Sequence, residues 1–262
     1  MWSAMSSANF VGDRTSGVAR ETRQLVTSDP AALGDRAADG IHAPSLVVLA
    51  ADAIRRRILS GEYAEGERLL EERLTEELAI SRPPLREAFR TLETEGLIVT
   101  LPRRGTFVAT MTEADIYEIL TLRSALERMA FDLGIPVDDD ALLRPAERAL
   151  EEMKRCAREQ DRGSLVQAGY AFHFALVGIA HHRRLKEAYA AVQQQLLLCM
   201  ARNLIARERY YEDLEQHVAR HEQLLHVVKQ GDKDLALKEL AAHGERSFED
   251  MKVPQRRVAG AD

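Results

Sequence analysis

Two sets of side chains in this chain are spaced for chemistry. The first lies in Ser81–Val99, "SRPPLREAFRTLETEGLIV". On a helix turning about 100° per residue, Arg82, Arg86 and Arg90 fall at about 0°, 40° and 80°. Leu85, Phe89 and Leu92 fall between about 280° and 340° on the same wheel. One flank therefore packs while its neighbour projects guanidinium groups, whose planar forks suit guanine O6 and N7 or a phosphate. Ser81 is placed to cap the helix, and Pro83 and Pro84 occupy its first turn, where an amide N–H has no intrahelical partner. The same N-terminus attracts phosphate through its free N–H groups. The competing reading is a solvated arginine face paired with Glu87 and Glu93. The segment that follows shifts the balance towards DNA. In "LIVTLPRRGTFVATM" two β-branched apolar runs flank a turn, and Arg103, Arg104 and Gly105 make a basic tip suited to a minor groove.

The second set is imidazole. Seven of the eight histidines follow residue 170. His173 shares its helical face with Val166, Gly169, Val177 and Ala180. His221 lies with Leu214, Val218, Leu225 and Val228, and His243 with Ala236, Leu240 and Ser247. Three segments thus each turn one imidazole inward. Convergent unpaired imidazoles are costly in a core, and they make chemical sense as three ligands to a divalent metal with positions left for water or an anion. His217 and His221 form an i,i+4 pair that is an alternative chelate, although His217 has fewer apolar face-mates. His226 faces Glu222 and Gln230 and should be exposed, and His181 and His182 sit in a connection.

Positioning these groups requires two domains. Leu46, Leu49, Ala50, Ala53, Ile54 and Ile58 repeat at helical spacing up to Gly61. Leu70, Leu74 and Leu78 give a short second helix, and the arginine segment gives a third, closed by Gly96. With the hairpin, residues 45–110 read as a winged helix-turn-helix. From Thr112, a good cap, the chain is almost purely helical. The first helix carries Ile116, Ile119, Leu122, Leu126 and Met129 and ends at "GIPVDDD". Further helices are expected at 138–160, 163–180, 184–206, 210–230 and 232–251. The fold class is mainly α, with a C-terminal all-α antiparallel bundle over 111–251. Residues 1–44 read as a flexible arm whose Arg14, Arg20, Arg23 and Arg36 could touch phosphates, and 252–262 as a tail.

Composition narrows the classes. A net charge of −6 excludes a wholly basic nucleic-acid protein but not a local patch. Cys156 and Cys199 form no CxxC pattern and read as reduced thiols. No apolar run approaches the length of a membrane span, and "MWSAMSSANFVGDRTSG" lacks a signal-peptide core, so a cytoplasmic location is expected.

The stretch Ile54–Val108 resembles the winged-helix domain of the GntR family of bacterial transcription regulators. The match runs through SGxxxxGxxLxExxL, SRxPxREAxxxLxxEGL and RGxxV. Departures are mild: Glu65, Thr75 and Leu85 stand where Pro, Ala and Val are usual. The resemblance implies that Ser81, Arg82 and Arg86 contact DNA and that the Gly105 wing reads the minor groove. Asp115–Phe248 is similar to the FCD ligand-sensing domain of the FadR subfamily, through "LRSALERMA", "FHFAL", "HEQLLHVVKQGD" and "LALKELAAH". That resemblance implies three histidines and one aspartate holding a divalent metal, often zinc or nickel, which helps bind a small carboxylate effector. In this chain the aspartate's position holds Gly169, which supplies no ligand. His182 and Arg220 stand where Asn and Glu are common. Arg123 is the candidate partner of the effector carboxylate, against a structural i,i+4 pair with Glu127. The expectation is a homodimeric, ligand-responsive regulator of a palindromic operator, a repressor rather than an enzyme. Two rivals stand: a metal-dependent hydrolase built on the three histidines, which lacks a general base once Gly169 replaces the carboxylate, and a DNA-binding protein with no effector.

Overall fold

The computed structural model describes residues 45–210 and 212–245. The expected arm at 1–44 and tail at 252–262, and the end of the helix expected at 232–251, lie outside these residues.

Ser45 caps α1 (Leu46–Leu59) by accepting from the Val48 amide. Ile54 and Leu59 are fully buried against α3 (Arg82–Thr94), whose Leu85, Ala88 and Leu92 fill the same core. The short α2 (Glu71–Glu77) contributes Leu74. β2 (Ile98–Leu101) and β3 (Gly105–Val108) form the expected hairpin, with Leu101 opposite Gly105. A third strand, β1 (Arg68–Leu69), joins it, giving the order β1-β3-β2. The sequence reading contained only the hairpin. A two-residue strand has no period to detect, and β1 exists because Arg68 and Leu69 pair with Phe107 and Thr106. The Glu93 carboxylate accepts from the Thr100 amide at 2.8 Å and ties the wing to α3.

Thr112 and Asp115 form a reciprocal capping box that starts α4 (Glu113–Gly134). The helix buries Ile116, Leu120, Glu127, Ala130 and Phe131. Leu122 and Met129, expected on the packed face, are instead 43% exposed each. After a 3-10 turn at Asp140–Leu142 come α5 (Arg144–Glu159), α6 (Arg162–Gly178), α7 (Arg183–Ala191), α8 (Gln193–Tyr210), α9 (Leu214–Gln230) and α10 (Lys233–Glu245). The single helix expected over 184–206 is two helices, broken at Val192, whose amide turns back to Tyr189 and Ala190. No Gly or Pro marks that break. Gly163, the expected start of the helix over 163–180, is the second residue of α6, which Asp161 caps through the Ser164 amide. A Cβ at Gly163 would sit 2.4 Å from the Arg56 carbonyl oxygen, so α6 begins against the backbone of α1.

Candidate DNA-reading edge and histidine cavity

The arginine edge is present as the wheel required. Ser81, Arg82, Arg86 and Arg90 are exposed, while Leu85, Phe89 and Leu92 are buried. Ser81 occupies the N-cap position, but its side chain makes no cap hydrogen bond. The expected cap is not formed because Pro83 and Pro84 stand at the N2 and N3 positions and have no amide N–H to donate, so the Ser81 hydroxyl stays available. The Arg86 guanidinium lies 3.1–3.2 Å from the Glu71 carboxylate on α2. Arg90 pairs with Glu87 at 2.8 Å. At the wing, Arg103 and Arg104 are exposed, and Arg103 has φ 62°. Gly105, at φ 103°, completes a turn that an L side chain resists. The Arg68 guanidinium packs over it: a Cβ on Gly105 would lie 3.0 Å from Nε. Arg68 adds a cation to the wing that sequence reasoning missed, because only the β1–β3 pairing brings it there.

The three histidines converge. His173 on α6, His221 on α9 and His243 on α10 are buried, and their donor nitrogens lie within 4.8 Å of one another. Ring centroids are 5.2 Å apart for His173–His221, 5.2 Å for His173–His243 and 4.6 Å for His221–His243. His173 Nδ1 is 3.2 Å from Glu127 Oε1, and His221 Nδ1 is 2.9 Å from the His217 carbonyl oxygen. His173 Nε2 and His243 Nδ1 are buried with no hydrogen-bond partner among the described residues. Burial first, and the Arg123 charge second, lower the His173 pKa to about 4. Burial likewise pushes His221 and His243 well below the usual histidine range. All three rings are neutral near pH 7, the state a metal ligand needs.

A buried polar network holds the first ring in place. Glu127 accepts from Arg123 at 2.8 Å and from the Tyr189 hydroxyl at 2.7 Å. Burial opposes ionisation of Glu127, but the Arg123 guanidinium overrides it and holds the carboxyl well below the usual carboxylate range. Arg123 thus forms the i,i+4 pair, and it also lines the cavity. That cavity, of about 50 Å³, further takes in Ser124, Gly169, Asn203, His217 and Arg220. At Gly169 a Cβ would meet Met200 Cε at 3.2 Å, so a thioether side chain closes off the space beside the glycine. His217 turns towards Glu212 (3.3 Å), which also accepts from Arg207 and Arg220. The His217 and His221 ring centroids are 4.7 Å apart, and His217 also lines the cavity. His226 is exposed as expected, and His182 caps α7 by accepting from the Leu185 amide. Local spacing could reveal Arg123–Glu127. Nothing local connects Glu127 to His173 or Tyr189.

Residues 47–108 match the family description "Bacterial regulatory proteins, gntR family", and residues 118–246 match the FCD domain. The gluconate operon transcriptional repressor of Bacillus licheniformis is 30% identical over 76% of this chain and 80% of its own length. An HTH-type transcriptional regulator of Bacillus subtilis is 29% identical over 76% of this chain and 88% of its own length. Among solved structures, a GntR transcriptional regulator from Rhodococcus sp. RHA1 superposes with a TM-score of 0.60 at 24% identity, covering 77% of this chain and 95% of that one. The Escherichia coli McbR/YncC structure gives 0.58 at 22% identity, covering 79% and 96%. At these identities the structures speak for the fold.

Proposed function

This chain belongs to the GntR family of bacterial regulatory proteins, a transcriptional regulator with an FCD domain behind its DNA-binding head, and we propose that it acts as a homodimeric repressor of a palindromic operator, tuned by a small carboxylate. One observation carries this reading: an exposed arginine edge and a buried cluster of three imidazoles occur in the same chain.

In the proposal, Arg82 and Arg86 enter the major groove and read base edges. Ser81 and the α3 N-terminus take a phosphate, Arg90 takes another, and Arg103, Arg104 and Gly105 enter the minor groove. Arg86 exchanges Glu71 for the base edge, so its guanidinium is already held at the helix surface before DNA arrives. Two heads grip half-sites about 34–36 Å apart. Leu122, Met129 and Leu133 on the outer side of α4 supply an apolar face for the second copy. Repression follows the Bacillus licheniformis relative's name, and the place of action is the bacterial cytoplasm, where the operator lies.

The cavity fits a divalent ion such as zinc or nickel. Its donor set is His173, His221 and His243, and two of their nitrogens are buried without partners among the described residues. Gly169 adds no ligand, so three imidazoles hold the ion and the remaining positions fall to water or effector oxygens. The ion would supply positive charge to a bound carboxylate, and Arg123 would supply a second cation beside it. A hydrolase reading is disfavoured by the state of Glu127. The carboxylate beside the imidazoles is tied to Arg123 and Tyr189 and is no free base. No helix of the described residues is long and apolar enough to cross a membrane.

The test is an operator mobility shift at fixed salt, with metal analysis of the purified protein. A panel of small carboxylates should weaken operator binding in the wild type and not in His173→Ala. An operator affinity that no carboxylate alters would refute the effector role.

A further inference from the structure

A second cleft, of about 570 Å³, lies where α1 and the end of α3 meet α5, α6, α7 and α8. That volume is within the range of about 300–1,000 Å³ typical of small-molecule sites. It shares no lining residue with the histidine cavity. Its aromatic wall is Tyr170 and Phe174, stacked at 5.8 Å and 15°. The Lys186 ammonium sits 4.9 Å from the Phe174 ring centroid. Arg148 on α5 lines the same cleft, is exposed, and forms no ion pair among the described residues. Two polar atoms at the cleft are left over. The Tyr170 hydroxyl and Gln194 Oε1 are buried with no hydrogen-bond partner among the described residues, and Tyr170 is only 6% exposed. Buried polar groups in folded proteins are nearly always satisfied, so such a pair marks a place where a partner is missing.

We infer that this cleft is a second ligand site, for a small aromatic carboxylate carrying a ring hydroxyl. The ring lies against Tyr170 and Phe174, an arrangement that aromatic pairs favour. The carboxylate faces Arg148 and Lys186, which give the site its positive charge. The ring hydroxyl both donates and accepts, which matches one leftover hydroxyl and one leftover amide oxygen. The Arg55–Glu95 pair, with bonds of 2.9 and 2.6 Å, also lines the cleft. Glu95 caps the C-terminus of the recognition helix α3. An occupant therefore touches the DNA-binding head directly, by a route independent of the histidines.

The experiment is isothermal titration of the full chain with 4-hydroxybenzoate, benzoate and cyclohexanecarboxylate. We expect saturable binding of 4-hydroxybenzoate, with cyclohexanecarboxylate weaker by about tenfold or more. The double variant Arg148→Ala/Lys186→Ala, at exposed positions and with an unchanged melting curve, should lose about tenfold or more. Tyr170→Phe should erase the preference for 4-hydroxybenzoate over benzoate, and His221→Ala should leave the affinity in place. Absence of saturable binding would overturn the inference. So would equal affinity for cyclohexanecarboxylate, or binding that survives the double variant and disappears in His221→Ala, which would put the ligand among the histidines.

Discussion

Replacing Gly163 with alanine sets two physical effects against each other. Helix propensity alone favours alanine over glycine by up to about 1 kcal/mol. Contact opposes it. The added methyl would lie 2.4 Å from the Arg56 carbonyl oxygen and 2.9 Å from its carbonyl carbon and Cα, where ordinary contact begins near 3.4 Å. Both partners are backbone, so no side chain can swing away, and α6 must retreat from α1 by about 1 Å. Overpacking of this kind costs about 1–3 kcal/mol. Because the clash is with backbone, the upper half of that range applies, and the net expectation is a loss of about 1–2 kcal/mol, or a melting temperature lower by about 2–8 °C. Gly178 is the control on the same helix. A Cβ there meets nothing within 4 Å, so Gly178→Ala should be neutral or stabilising by up to about 1 kcal/mol. Scanning calorimetry of the two variants beside the wild type decides the matter. If Gly163→Ala melts at or above the wild-type temperature, the close approach of α6 to α1 is wrong.

Three further outcomes are expected. Arg82→Ala and Arg86→Ala should each weaken operator binding by about 1–3 kcal/mol and relax sequence preference, whereas Arg103→Ala should mainly lower the salt dependence by about one unit of slope; unchanged binding in the first two would remove α3 from the groove. Arg123→Met should cost about 3–5 kcal/mol in urea denaturation, because it strands the buried Glu127 charge, and adding Glu127→Gln should recover part of the loss. For Glu212, burial raises the pKa, but His217, Arg207 and Arg220 lower it well below the usual carboxylate range. Its contribution is therefore complete above the unfolded-state value of about 4.3 and is lost as pH falls below it, so the melting temperature of the wild type should drop more steeply below about pH 5 than that of Glu212→Gln.

What could be read in the sequence was whatever local periodicity encodes. The arginine edge followed from a wheel, because Leu85, Phe89 and Leu92 fix which flank is buried. The three histidines followed in the same way, each from the apolar face it shares. Features made by distant pairings were invisible. β1 is two residues defined by partners near residue 106, Arg68 reaches Gly105 only through that pairing, and the Glu127–His173–Tyr189 network joins three helices. The wheel also failed where both flanks are apolar: α4 has more apolar positions than its packing uses, so Leu122 and Met129 look like core and are exposed. The break at Val192 failed for the opposite reason, since no residue type there announces it.

Gly163 bears on how regulators of this architecture can be recombined. Ten residues separate it from His173 on one continuous helix, a span of about 15 Å. A chimaera that joins this sensor to a foreign head keeps the histidines intact wherever the cut is made in the linker after the wing. It works as a sensor only if the new head brings a first helix whose backbone can lie against a bare glycine. Choosing heads by that groove, rather than by operator preference alone, gives a rule for building hybrid regulators from this chain.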